Sequence, residues 1–379
     1  MQTKYNRVKE IIKSKILDGT YIPHQKISSE NELIKKFGVS RHTIRLAVGK
    51  LVEEGWLYRE QGSGTFCAEQ SARETISQTK SKKIAIITTY LSDYIFPSII
   101  RGAESYLSHR DFQVSVYSTN NSVENERRIL EKILAQKIDG VIIEPTKSAF
   151  LNPNLHYYFN LECLNIPYIM INAFYDELEP PSLIMNDEEG GYIQTDHLIQ
   201  LGHRDILGFF KVDDVQGLKR MKGYIKAHRD HHLLVDPSNI ITYNSEEKMT
   251  RPVKKLKEIV LRNNLPSAVV CYNDELAIML LEVFRESNLR VPDDISIVGH
   301  DDSFLAQASE VKLTTIQHPK NKMGEDAAKM IIRLINNKVS KTKKDWAEVK
   351  TTVYRPVLTI NQSTIGRNTE KNTSKLNVQ

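Results

Sequence analysis

Cysteine is scarce: Cys67, Cys163 and Cys271 are the only three, far apart and outside any CxxC spacing. An odd, scattered set supplies neither a disulfide framework nor a zinc site, and it suits reduced thiols in the cytosol. No apolar run approaches the roughly 18–20 residues that cross a bilayer. The N-terminus MQTKYNRVKE lacks the apolar stretch of a secretory signal. A cytoplasmic location without a membrane partner is therefore expected. Also missing are a Walker loop, HExxH, GxSxG and any GxGxxG that opens a helix after a strand. The nearest approach to a metal cluster, His228-Arg-Asp-His-His232, lies in a polar stretch at an expected helix end and reads as solvated surface. Glu188 and Glu189 are adjacent, so their side chains point apart. No catalytic residue, metal or cofactor is expected.

What is present is size and a lopsided charge. At 379 residues with 40% apolar content, the chain exceeds the ~250–300 residues at which a single core stops growing. It should be multidomain. Residues 1–82 carry 15 Lys and Arg against 9 Asp and Glu, whereas the rest has 37 against 38. The positive excess belongs to the head, where it would attract a polyanion such as DNA or a membrane surface.

In the head, Tyr5, Val8, Ile11, Ile12 and Ile16 recur at helical spacing, which predicts one amphipathic helix ending at Asp18-Gly19. Ser29-x-x-Glu32 is a capping box for a second helix over Glu30–Phe37. Gly38-Val39 makes a tight turn, and Ser40 can cap a third helix reaching Glu54 with the stripe Ile44, Ala47, Val48, Leu51 and Val52 buried. Two short helices, a glycine turn and basic residues opening the second helix suit a recognition helix that enters the major groove N-terminus first. Trp56–Arg59 and Thr65–Ala68, joined by Gln61-Gly62-Ser63-Gly64, predict a hairpin wing.

Residues 70–82 are polar and lack helical periodicity, which predicts a flexible tether. From Lys83 onward apolar runs alternate with helical segments. Strands are predicted at Ile84–Thr89, Gln113–Ser118, Val141–Glu144, Tyr168–Asn172, Ile206–Phe210, Ile240–Tyr243, Ala268–Tyr272 and Ile295–Val298, with helices near 97–110, 123–136, 189–201, 217–230, 251–262, 273–287 and 321–337. Repeated βα units imply parallel sheets covered by helices, with ligands beyond the strands' carboxyl ends. Those ends are followed by Tyr90–Phe96, Glu144–Lys147, Asn172, Asn186-Asp187, Asn273-Asp274 and His300-Asp301-Asp302. Planar polar groups beside aromatic rings suit a small sugar or polyol, whose hydroxyls need both donors and acceptors. Each Asn and Asp could equally be a helix cap. A sugar-active enzyme and a sugar transporter's binding protein are the rival classes.

Two resemblances sharpen this. Ser29-Glu30-Asn31-Glu32-Leu33, Gly38 through Arg45, Leu51-x3-Gly55-Trp56-Leu57 and Gln61 through Phe66 resemble the GntR-family winged helix. The resemblance implies that Ser40, Arg41, His42, Thr43 and Arg45, with Gln61 and Gly62 at the wing tip, touch double-stranded operator DNA; Lys4 and Glu30 complete the expected set. Phe96 through Gly102, Asp139-Gly-Val-Ile-Ile143, Asn186 through Gly191, Arg220-Met-Lys-Gly-Tyr224, Tyr272 through Ala277 and Val291 through Asp302 resemble the LacI/GalR effector domain, which is similar to bilobed periplasmic sugar-binding proteins. That resemblance implies effector bonds from Arg220, Asn273 and Asp301, and a cleft lined by Tyr94, Phe96, Lys147, Asn172 and the Asn186-to-Glu189 loop, Asp187 and Glu189 among them.

The implied organisation is a winged helix-turn-helix (α+β) at residues 1–69, a linker at 70–82, a bilobed periplasmic-binding-protein-like α/β domain with parallel sheets at 83–364, and a flexible tail at 365–379. The hinge helix usual in LacI-type repressors is absent. A GntR-type head on a LacI-type body is similar to the L-arabinose-responsive repressors of Gram-positive bacteria, which implies L-arabinose as the small sugar effector. Homodimers on a palindromic operator are expected, because one head reading one half-site binds weakly.

Overall fold

A computed structural model describes residues 4–17, 20–68, 82–91, 94–262, 265–337 and 351–367. The chain divides into two compact units, Met1–Ser81 and Lys82–Gln379.

The first unit holds α1 (Lys4–Leu17), α2 (Glu30–Phe37), α3 (Arg41–Glu53) and a hairpin of β1 (Leu57–Glu60) and β2 (Gly64–Cys67). The capping box forms: Ser29 Oγ accepts from the Glu32 amide at 3.3 Å, and the Glu32 carboxylate accepts from the Ser29 amide at 2.7 Å. Gly38 closes α2 at φ 61°, a left-handed backbone that glycine adopts without strain. Ser40 then caps α3 by accepting from the Thr43 amide. Val8, Ile12 and Ile16 of α1, Leu33 of α2, Ile44, Ala47, Val48 and Leu51 of α3, and Leu57 and Cys67 of the hairpin close one core. Val52 is only half-buried against it. Asp18-Gly19, Glu69 at the end of the expected head, and residues 70–81 of the expected tether lie outside the described residues. Lys82 belongs to the body, since its carbonyl accepts from the Gln113 amide at 2.8 Å.

The second unit has two lobes, each around a six-stranded sheet. In the first, β3 (Lys83–Thr88), β4 (Gln113–Ser118), β5 (Gly140–Ile143), β6 (Tyr168–Asn172) and β7 (Ser182–Met185) are interleaved with α4 (Phe96–Ser108), α5 (Val123–Ala135) and α6 (Leu155–Cys163). The chain then builds the second lobe from α7 (Asp187–Gln200), β8 (Ile206–Lys211), α8 (Val215–Asp230), β9 (Ile240–Tyr243), α9 (Arg251–Leu261), β10 (Ala268–Cys271), α10 (Asp274–Glu286), β11 (Ser296–Asp301), α11 (Phe304–Ala308) and β12 (Thr314–Gln317). It returns to the first lobe for α12 (Lys320–Asn337) and β13 (Thr352–Tyr354), and to the second for β14 (Leu358–Thr359). Strand order is β13-β7-β6-β5-β3-β4 in the first sheet, all parallel, and β14-β12-β11-β10-β8-β9 in the second, parallel except for β14.

Helices on both faces explain the near-continuous apolar strands. Ile84 and Ile86 of β3 pack with Ile99, Ala103, Met323 and Ile331 of α4 and α12, while Ala85 and Ile87 pack with Leu130, Ile133 and Leu161 of α5 and α6. The alternation is the two-residue repeat of a strand, and each buried isoleucine contributes roughly 1.5–3 kcal/mol.

Three further expectations change. β11 runs on to Asp301, so His300 is inside the sheet and fully buried. His228 is buried as well, against the Tyr224 carbonyl at 2.9 Å, and is not solvated surface. Residues 365–367 are fastened to the body, with the Ile365 amide on Ser296 Oγ and the Arg367 amide on the Leu201 carbonyl. Residues 368–379 of the expected tail lie outside the described residues.

Candidate functional site

Residues at the carboxyl ends of strands in both lobes line a cleft of about 1050 Å³, the open solvent at its mouth included. Its centre is Arg220 of α8. The guanidinium is buried, donates to Asp187 Oδ1 from Nε at 2.8 Å and to the Tyr272 carbonyl at 2.7 Å, and lies 4.8 Å from the Tyr272 ring centroid. Asp301 Oδ1 stands 3.6 Å from Arg220 Nη2 and has no hydrogen-bond partner, although it is buried. Asp301 Oδ2 accepts from the Tyr94 hydroxyl at 2.6 Å. That hydroxyl in turn accepts from the Asp274 amide at 3.0 Å.

Around this centre, Asn172 donates to Glu144 Oε1 at 2.9 Å and its Oδ1 is 3.1 Å from His318 Nε2. Lys211 pairs with Asp214 at 2.9 Å, and Tyr272 donates to the same carboxylate oxygen at 2.7 Å. Gln216 Oε1 and His318 Nδ1 are buried without a partner.

Burial pushes Asp187 up to about 6, against the pull of Arg220, and Asp274 up to about 7, helped by Asp301. Burial holds His318 down to about 4, so it is neutral at physiological pH. Burial also works against the charge of Lys211, but Asp214 and Asp213 outweigh it and raise its pKa. Fixed charges with buried acceptors left unpaired form an incomplete polar network. A ligand bearing several hydroxyls could complete it.

In the head, Ser40 and the first turn of α3 present Arg41, His42 and Arg45 to solvent, with Thr43 half-buried. Arg41 donates to Asn31 Oδ1 at 2.9 Å, and Arg45 Nε to the Glu30 carboxylate at 3.1 Å, so α2 orients both guanidiniums. Gln61 and Gly62 (φ 81°) form the exposed hairpin tip, and Lys4 is exposed at the start of α1.

Residues 4–67 match the bacterial regulatory proteins of the gntR family, and residues 195–356 match the periplasmic binding protein-like domain. The chain is 55% identical to the arabinose metabolism transcriptional repressor of Halalkalibacterium halodurans, covering 99% of this chain and 100% of that one. It is 48% identical to the protein of the same name from Geobacillus stearothermophilus, over 95% and 97% of the two chains. The chain belongs to the family of arabinose metabolism transcriptional repressors. It is a transcriptional repressor of sugar metabolism, a regulator rather than an enzyme. Its fold is similar to that of the transcription regulator CcpA of Lactococcus lactis, with a TM-score of 0.64 at 20% identity over 75% of this chain and 99% of that one. Among the described residues no helix is long and apolar enough to cross a membrane.

Of the residues singled out for the repressor's effector, Tyr94, Phe96, Asn172, Asp187, Arg220, Asn273 and Asp301 all line the cleft. Asn273 also caps α10, accepting from the Leu276 amide at 2.9 Å, so the two roles coexist. Lys147 and Glu189 are not in the lining. Lys147 reaches Glu246 of the other lobe at 2.5 Å, and Glu189 accepts from the Asn186 side chain at 2.7 Å within the cap of α7. Glu144, expected just after its strand, lines the cleft as well, and Thr89, Lys211, Asp214, Gln216, Tyr272 and His318 line it without having been selected. All but Gln216, in the first turn of α8, lie within three residues of a strand's carboxyl end, but the strand before His318 was not among those expected from the sequence.

Glycine brings Asp187 and Arg220 together. A Cβ on Gly191 of α7 would stand 2.1 Å from the Arg220 carbonyl oxygen, and one on Gly223 of α8 would stand 2.1 Å from that of Glu188. The two helices touch backbone to backbone. Gly223→Ala is therefore expected to destabilise the body by about 1–3 kcal/mol, the usual cost of overpacking. An unchanged melting transition in scanning calorimetry would mean that the helices can part freely.

Proposed function

We propose that this repressor acts in the cytoplasm as a homodimer on a near-palindromic operator, gripping it through the first turn of α3 and the β1–β2 tip. L-arabinose, bound in the cleft, releases it. The observation that carries the effector half is the incomplete polar network around Arg220, where the buried atoms Asp301 Oδ1, Gln216 Oε1 and His318 Nδ1 have no partner. Sugar hydroxyls both donate and accept, and could satisfy all three. The relatives named for arabinose metabolism support this particular pentose. A ligand moves the protein only through its different affinities for two conformations. Titration calorimetry of the full chain against a panel of pentoses and hexoses tests the reading, together with operator binding at each sugar concentration. L-arabinose should bind, and should weaken operator binding over the same concentration range. Binding without release, or release by a different sugar alone, would sink it.

For the head, operator affinity should fall steeply with salt, because lysine and arginine displace counterions from phosphate. Arg45→Ala should reduce the preference for operator over random DNA by ~1–3 kcal/mol if Arg45 reads a base. Equal loss on both DNAs would make it a phosphate contact. No loss on either would remove it from the interface.

A further inference from the structure

Lys147, which stands outside the cleft, is part of a set of bonds between the lobes. Lys147 Nζ is 2.5 Å from Glu246 Oε1, Asn121 Nδ2 donates to Ser245 Oγ at 2.6 Å, and the Val215 amide donates to Ser148 Oγ at 3.0 Å. Asn121, Lys147, Ser245 and Glu246 surround one shallow hollow. The first-lobe side is held from behind. Asn121 Oδ1 accepts from the Lys147 amide at 2.9 Å, and the Thr146 amide donates to the Tyr175 hydroxyl at 2.8 Å. Tyr175 itself is anchored on the fully buried Glu126. Asn121 (φ 52°) and Lys147 (φ 46°) both have left-handed backbones. For a lysine this conformation is costly and persists only where the surroundings over-determine it.

We propose that Asn121, Lys147 and Ser148 on one lobe, with Val215, Ser245 and Glu246 on the other, form a clasp that favours the closed cleft. The clasp sets the sugar concentration at which the repressor responds, while Lys147 and Glu246 act without touching the sugar. This rests on the reading of the cleft as the sugar site. If only the closed form binds sugar tightly, the apparent dissociation constant is the intrinsic one divided by the closed fraction. Every bond of the clasp then tightens binding indirectly, and Lys147 is a positioning residue.

The test is a charge swap in the full-length protein: Lys147→Glu, Glu246→Lys and the two together. Lys147 is 27% exposed and Glu246 62%, so solvent weakens the pair, and turning attraction into repulsion should raise the L-arabinose dissociation constant by about three- to tenfold in each single variant. The double variant should return to within about twofold of the unaltered protein, because the pair is restored in reverse. Losses that add in the double variant, or single variants that bind as the unaltered protein does, overturn the clasp. A second measurement needs no sugar: hydrogen exchange at the Val215 amide should quicken in both single variants and slow again in the double. Failure of the unaltered protein to bind L-arabinose would count against the sugar reading alone. Val215 exchange unmoved by the single variants would overturn the clasp on its own.

Discussion

Asp301→Asn should raise the L-arabinose dissociation constant by roughly 10- to 150-fold, the 1.5–3 kcal/mol of one hydrogen bond to a charged group. Asp301 is buried at the end of β11, with one carboxylate oxygen on Tyr94 and the other unpaired beside Arg220. Asparagine keeps the shape and one acceptor for the Tyr94 hydroxyl. It replaces the other oxygen with an amide that can only donate and that faces a guanidinium, so the acceptor offered to a sugar hydroxyl is lost together with its charge. Operator affinity without sugar should stay as it was, because the residues proposed to grip DNA belong to the other unit. Calorimetry and operator anisotropy on the same preparation separate the two effects, and the expected phenotype is repression that sugar no longer lifts. Unaltered sugar binding would make Asp301 a packing group and move the effector elsewhere.

How far the sequence alone reached depended on segment length. β4, β6 and β9 have the predicted bounds, because runs such as Tyr168–Asn172 are long and apolar enough to show themselves. β7 was not foreseen: Ser182–Met185 is only four residues long and directly follows Pro180-Pro181. β13 and β14 are three and two residues long, and owe their existence to pairing with β7 and β12. No local pattern can encode such strands, since the partner supplies the hydrogen bonds.

The candidate site divides in the same way. That functional groups would gather after the strands followed from βα alternation, whereas which of them turn inward did not. Lys147 and Glu189 satisfy the positional rule, yet one bridges to Glu246 and the other is spent on a helix cap. His300 was expected beyond its strand but lies within it, 3.2 Å from Gln194 Oε1 and packed against the bare backbone of Gly190. Family resemblance supplied Arg220 and Asp301, and only the three-dimensional arrangement adds Lys211, Asp214, Gln216 and His318 around them.

Arg220→Met should cost the body about 3–5 kcal/mol at neutral pH, because deleting one member of a buried ion pair strands the other's charge. The stranded groups are Asp187, now without its 2.8 Å partner, and Asp301. The penalty should shrink towards acid pH. Burial already lifts Asp187 from 3.8 to about 6 with the arginine in place, and Asp301 and Asp214 push the same way. Removing the guanidinium raises it further. A carboxyl group whose pKa is higher folded than unfolded carries more protons when folded, so stability falls as pH rises through that window and is fullest below the unfolded value. Near pH ~5, therefore, Asp187 is largely protonated in the variant and needs no cation. His300 and His318, both held low by burial with Arg220 pushing the same way, weaken both proteins in acid. Losing the arginine relieves them slightly, which also favours the variant at low pH. Scanning calorimetry of both proteins at the two pH values gives the difference directly. A stability gap that is the same in acid as at neutrality would mean that Arg220 holds the cleft through its packing on Tyr272 and not through charge.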